Sequence, residues 1–289
     1  MINELGEIGT SSGVLLKMWE VIVPSGSRPL VRHSHIRFEI TLITAGSGIY
    51  TVGDKKYAIK PYEIFVFASN EQHCVTEVGK DGLKMINLHF EPRYLWGRSF
   101  DRLSNVNTNF CFQHSPNFEN CIPADRARQI RGLFTSAAEE FSKKEPEYAL
   151  QIKSLLNMII VALIRDFGYF DSTLPESKDK NRIIRKATEY IDTHFQENLT
   201  LETLAGLSGL TPNYFSSLFS KVSGIKLWDY INSRRIEAAM QLLKSESNLN
   251  IIEIASKCGF NNTANFNKAF KKTVGITPGE YRLNDNIII

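Results

Sequence analysis

The sequence predicts an α+β chain of two domains: a small antiparallel barrel or jelly roll with two helices after it, then an all-α domain built on a duplicated helix-turn-helix. Three observations predict this. Residues 14 to 90 alternate apolar and polar positions, are rich in β-branched and aromatic side chains, and are punctuated by glycine. Residues 123 to 167 carry apolar side chains at helical spacing. From Leu201 to Arg282 one pattern occurs twice. Gly209 and Gly259 lie 50 positions apart, as do Leu204 and Ile254, and Ala205 and Ala255. After one inserted residue the offset is 51, joining Phe215 to Phe266, Phe219 to Phe270, Gly224 to Gly275 and Tyr230 to Tyr281.

A chain of 289 residues can bury two cores, and 43% hydrophobic with 22% charged residues is ordinary for a globular protein. The net charge of +3 is unevenly spread: 14 basic and 10 acidic residues from Lys180 onward, against 20 and 21 before it. The basic surplus sits with the repeat, as phosphate neutralisation requires, but is too small to argue nucleic-acid binding by itself. Cys74, Cys111, Cys121 and Cys258 lack metal or disulfide-framework spacing, so free thiols are expected. The first residues carry no signal-peptide pattern, and the longest apolar run, 158–164, is short for a membrane span. A cytoplasmic protein with no membrane partner is expected.

In chain order, strands are expected over 14–23, within 38–52, and over 55–60, 63–69, 73–78 and 84–90. Gly46-Ser47-Gly48, Gly53-Asp54 and Gly79-Lys80-Asp81-Gly82 read as the turns between them. Residues 91–121 read as an irregular lid, with His114 at the surface. A helix from Pro123-Ala124 turns Ile130, Leu133, Phe134, Ala137 and Phe141 to one side. The next, 148–167, is apolar nearly all round, so something must cover every side: the barrel, the neighbouring helix or a second subunit. Residues 171–181, rich in Ser, Pro, Asp and Lys, read as a linker. The domains expected are 1–121, the helical segment 122–170, and 182–285.

Each repeat has a direct physical reading. Leu201, Leu204 and Ala205 form a helix that Gly209 ends. Thr211 and Pro212 start the next, which buries Phe215, Leu218 and Phe219 and leaves Asn213, Ser216, Ser217 and Ser220 outside. In the second copy Ile254 and Ala255 face inward and Gly259 ends the helix. Phe266, Ala269 and Phe270 line the following core face, leaving Thr263, Asn267, Lys268 and Lys271 outside. A polar second helix after a tight turn is how a reading helix is presented to the major groove. A connector from Trp228 to Lys244 would span roughly 25 Å at about 1.5 Å per residue. That is stiff and long enough to set two reading helices in successive grooves, with Arg234 and Arg235 facing phosphates. These stretches, with RRIEAAMQLL and NFNKAFKKTVGITPGEYR, resemble the AraC/XylS family of transcription regulators. The resemblance covers about the last hundred residues. It implies a homodimer bound to double-stranded DNA, with helices 124–167 as the dimer element, and leaves room for RNA polymerase as a partner.

His33, His35 and Glu39, followed by Gly46, and Lys60-Pro61-Tyr62-Glu63, followed by His73, resemble the two motifs of cupin barrels. Tyr62 and Glu63 stand where those motifs usually carry Gly-Asp. AraC-like regulators commonly carry such a barrel as an effector sensor. The resemblance implies that His33, His35, Glu39 and His73 line an effector site for a sugar or other polar metabolite, with no metal or other cofactor. A divalent metal at these four residues, and a purely hydrogen-bonded barrel wall, are the alternatives. The expected function is a sequence-specific transcription regulator controlled by a small effector, not an enzyme. Its rivals are a metal-dependent cupin enzyme joined to a DNA-binding module and a constitutive dimeric DNA-binding protein.

Overall fold

The computed structural model describes residues 1–10, 13–91, 94, 114–169, 178–223, 225–246 and 248–283. Most of the expected lid and linker therefore lies outside the described residues. The chain divides into two compact units, Met1–Leu30 with Arg37–Leu174, and Val31–Ile36 with Pro175–Ile287.

The first unit is one antiparallel sheet followed by two helices. Its strands are β1 (Ile2–Thr10), β2 (Gly13–Val23), β3 (Phe38–Val52), β4 (Lys55–Ile59), β5 (Ile64–Phe67), β6 (His73–Phe90) and β7 (Cys121–Ile122). Their order is β1-β2-β6-β3-β5-β7, with β4 beside β3. Two expected turns are not turns. Gly46-Ser47-Gly48 lies inside β3, and 79–82 lies inside β6, which runs through both strands expected there. The two long strands bend together across register shifts at Ile43/Ala45 and Gly46/Gly48. Gly46 (φ 87°) and Gly82 (φ 72°) make the bend: both have positive φ, and a Cβ on Gly46 would collide with the Gly82 carbonyl. Gly53-Asp54 is a turn, as expected. The strand β1 is unforeseen because Glu and Gly in INELGEIGT are weak strand formers; pairing along β2 from Ile2↔Val21 to Thr10↔Gly13 creates it.

Alternation gives the sheet two apolar faces. Leu16, Met18, Phe38, Ile40, Leu42, Ile64, Val66, Leu88 and Phe90 form the outer one. The helices α1 (Arg128–Lys143) and α2 (Tyr148–Phe167) cover it through Ile130, Phe134, Phe141, Ile152, Leu156 and Ile159. Each such side chain, fully buried, contributes about 1.5–3 kcal/mol. The chain turns at 123–127 before α1, so that helix starts later than Pro123. In length and composition α2 is apolar enough to cross a bilayer, although the 158–164 run alone is short; here its inward side is core. Leu150, Met158 and Val161 on its other side are exposed, so the described residues do not cover α2 all round. The inner face of the sheet carries Trp19, Val21, Ile43, Tyr50, Phe65, Phe67, Val75 and Met85.

The second unit is helical: α3 (Lys178–His194), α4 (Leu201–Gly206), α5 (Pro212–Ser223), α6 (Leu227–Ser245), α7 (Ile251–Lys257), α8 (Thr263–Val274) and α9 (Pro278–Leu283). The caps are those the residue types favour. Thr200 accepts from the Thr203 amide, Asn250 and Glu253 form a capping box, and Asn262 accepts from Ala264 and Asn265. Ala205 and Ala255 are buried, as are Phe215, Phe219, Phe266 and Phe270. The strand-like segment 31–36 groups here because the Ser34 amide donates to the Thr273 carbonyl at 3.2 Å.

Candidate functional site

Sheet register builds a polar cluster on the inner face. In the β3–β6 ladder Glu39 faces His89, and Thr41 faces Asn87. The same ladder pairs Val52 with His73 at its far end. Thirteen residues of straight strand would separate Glu39 from Val52 by roughly 43 Å. Yet His73 Nε2 lies 3.0 Å from Glu39 Oε2, so the sheet curls until its ends meet. His89 Nε2 reaches the same oxygen at 2.7 Å, and Thr41 Oγ1 donates to Glu39 Oε1 at 2.6 Å. All of these side chains are buried. Aromatic rings wall the cluster: Phe67 stacks on His73 at 4.0 Å, and Trp19 meets His89 edge-on at 4.4 Å.

The protons follow from the partners. The Nδ1 of His73 lies 2.8 Å from the Glu71 carbonyl, which only accepts, so it carries hydrogen. Nε2 faces Glu39 Oε2, whose charge favours the positively charged form of the ring. Burial opposes that charge, but the Glu39 charge and hydrogen bond outweigh it and raise the His73 pKa. Glu39 in turn, after burial itself, helps hold the Tyr50 phenol well above its usual range.

The expectation of His114 as a surface residue is corrected. It is partly buried against Phe118 and Tyr169, and its Nε2 donates to Glu71 Oε1 at 3.0 Å. Asn120 and the Ala68 amide donate to the other Glu71 oxygen. At Tyr62 the backbone is left-handed (φ 70°), the conformation that the usual glycine of the resembled motif takes freely. Of the four expected effector residues, Glu39 and His73 are brought together in the sheet. His33 and His35 lie in the 31–36 segment, their ring centroids 5.7 Å apart, with His33 Nδ1 2.9 Å from the Val31 carbonyl.

On the second unit, Asn213 and Ser217 of α5 and Asn267, Lys268 and Lys271 of α8 are exposed, while Ser216, Ser220 and Thr263 are half-buried. Arg234 and Arg235 are a correction, because neither is held out for phosphate. Arg234 is buried, with Nε 3.0 Å from Asp192 Oδ1 and Nη1 2.8 Å from Glu237 Oε2. Arg235 donates to the carbonyls of Phe195 and Glu197 at 2.7 and 2.9 Å. Arg234 points inward from α6 to the end of α3, and the half-buried Arg235 lies along the loop after it, which offers the carbonyls.

Comparison with known proteins matches residues 29–160 to an AraC-like ligand binding domain and 204–284 to a helix-turn-helix domain. The transcriptional activator AarP of Providencia stuartii is 37% identical over 107 residues, 37% of this chain and 78% of AarP. The activator RhaR of Enterobacter sp. (strain 638) is 23% identical over 86% of each chain. The regulatory protein PocR of Salmonella typhimurium is 34% identical over 47% of this chain, and the match spans 45% of PocR. Crystallised ToxT from Vibrio cholerae shares the fold, with a TM-score of 0.63 at 14% identity over 93% of this chain and 98% of ToxT. The chain belongs to the AraC family of transcription regulators.

As an AraC-family regulator, the chain joins a ligand-binding domain to a DNA-binding one. Sequence reasoning missed His89 as part of the inner cluster. The signal was present in Met85, Asn87 and His89, an alternating series whose polar members cannot sit on a buried face without partners.

Proposed function

We propose that this regulator receives a small polar effector on the inner face of its N-terminal sheet, and that the effector controls reading of two successive major grooves by α5 and α8. The observation that carries the effector reading is the buried Glu39 carboxylate between His73 and His89, flanked by Thr41, Asn87 and aromatic rings. Hydrogen-bonding groups beside aromatic faces suit a neutral, hydroxyl-bearing metabolite such as a sugar. ToxT has been crystallised with an unsaturated fatty acid and with a naphthyl-butenoic acid.

For DNA, Asn213, Ser216, Ser217 and Ser220 would face one groove and Thr263, Asn267, Lys268 and Lys271 the next. Asn can pair with adenine and Lys with guanine, while Ser and Thr discriminate less. The exposed side of α2, with Leu150, Ser154, Met158 and Val161 at helical spacing, would seat the same face of a second copy. Effector binding changes DNA occupancy only if it favours one arrangement of the dimer.

The test is a binding titration on DNA selected from a random pool by the full-length protein, with and without a panel of neutral sugars and related metabolites. One metabolite should shift DNA affinity in the wild type and fail to do so in Glu39→Gln; His33→Ala and His35→Ala enter the same assay. An effector whose action survives Glu39→Gln removes the inner cluster from the reading. Asn267→Ala or Lys268→Ala should cost about 1–3 kcal/mol at one base position. Unchanged ratios across every single-base variant would remove those two side chains from the interface.

A further inference from the structure

The two helix-turn-helix units are joined by more than the connector. Tyr230, near the start of α6, is buried and meets Phe219 of the first helix-turn-helix at 5.7 Å. Ile236, Ala239 and Leu243, further along, belong to the core of the second with Ile254, Phe260, Phe266 and Phe270. A single helix joining two cores would leave their relative twist to its own bending. Residues 195–197, the loop that leads into the first helix-turn-helix, supply a second point of contact.

Arg235 sits at the middle of that contact. Its Nε and Nη2 hold the carbonyls of Phe195 and Glu197, and its guanidinium lies 5.6 Å from the centre of the Phe260 ring. Phe260 follows Gly259, the turn glycine of the second unit. There the same loop approaches closely: a Cβ on Gly259 would come within 2.7 Å of the Gln196 carbonyl and 2.8 Å of that of Phe195. Gly259 also has φ 85°, so two constraints exclude a side chain at this point. The turn of the second unit is thus seated on the entrance loop of the first, with a planar, forked cation locking the two.

We infer that Arg235 is a positioning residue that fixes the separation and rotation of the two reading helices, so that the regulator accepts its two base boxes at one spacing only. The inference rests on the two-groove reading proposed above. Inserting one base pair between boxes moves them by about 3.4 Å and roughly a tenth of a turn. A clamped pair of heads cannot follow that change, whereas heads joined by α6 alone would follow part of it.

The experiment uses full-length protein and the DNA selected from a random pool, rebuilt with the inter-box spacing changed by one base pair in either direction. Each duplex is also made with either box scrambled, and with single-base changes in each box. Arg235→Lys keeps the charge and the long side chain but loses the fork. Wild type should lose about tenfold or more in affinity at either altered spacing, and Arg235→Lys about threefold or less. Base preferences inside each box should be the same in both proteins, which also shows that both heads are folded. Equal spacing penalties in the two proteins overturn the inference and leave the two-groove reading intact. Loss of base preference within a box overturns it as well, because Arg235 then maintains one head rather than the distance between two. A wild type indifferent to scrambling one box fails the two-groove reading, and this inference with it.

Discussion

Replacing Arg234 by Met tests the packing logic of the DNA-binding unit. Its side chain is 6% exposed and that of Asp192 4%, with Nε 3.0 Å from the carboxylate. Tyr230 donates to the same carboxylate oxygen at 2.9 Å, and Glu237 takes another guanidinium nitrogen at 2.8 Å. Arg234→Met removes the guanidinium partner of a buried carboxylate, which destabilises by about 3–5 kcal/mol. Against a total stability of about 5–15 kcal/mol this is a large share. Adding Asp192→Asn removes the stranded charge while keeping an acceptor for Tyr230, and should return the loss to within about 1–2 kcal/mol. Native-state hydrogen exchange on the full chain reads this locally. Amides of α3 and α6 should exchange roughly two to three and a half powers of ten faster in Arg234→Met, with β2 and β6 unchanged. If the single variant moves those amides less than about fivefold, or the double variant is as unstable as the single, Arg234 does not act as a buried counter-ion.

Other outcomes follow from the same structure. For His114, burial opposes the charge, but the Glu71 hydrogen bond and the Ser115 carbonyl raise its pKa above the ordinary 6.5. For Glu71, burial is likewise outweighed, chiefly by His114, and its pKa falls below the ordinary 4.5. The His114 contribution is therefore complete below about pH 6.5 and is lost as pH rises through the higher folded value. The Glu71 contribution is complete above about pH 4.5 and is lost as pH falls through the lower one. His114→Gln should flatten the alkaline side of the stability profile of the sheet unit, measured by hydrogen exchange across pH; an unchanged profile contradicts the pairing. Met158→Glu places a charge on the exposed side of α2, away from the core. It should shift the chain toward monomer in analytical ultracentrifugation without lowering the stability of the sheet unit, and an unchanged dimer would exclude this face.

How much was legible in the sequence depends on how local the cause is. The span of α2 was readable because its apolar periodicity is local to it. The repeat was readable because each copy carries its own caps and aromatic core positions. The bends in β3 and β6 were not, since Gly46 and Gly82 signal a turn or a bulge equally well, and only pairing between strands far apart in sequence decides which. His89 escaped for a related reason: its partner Glu39 is 50 positions away and meets it through register. Arg234 and Arg235 look like phosphate ligands in a basic helix, and only the carbonyls at Phe195 and Glu197 and the carboxylate at Asp192 engage them instead. Long-range acceptors have no sequence signature.

Under the proposal, one chain reads two successive major grooves. Guanine N7 methylation interference on the selected DNA, with full-length protein held at its effector-independent affinity, tests it most directly. Two windows of interference per chain are expected on one face of the duplex, about 10–10.5 base pairs apart, with substitutions in α5 erasing one and substitutions in α8 the other. A single window, or two windows that both vanish with α8 variants while α5 variants leave them untouched, would contradict it.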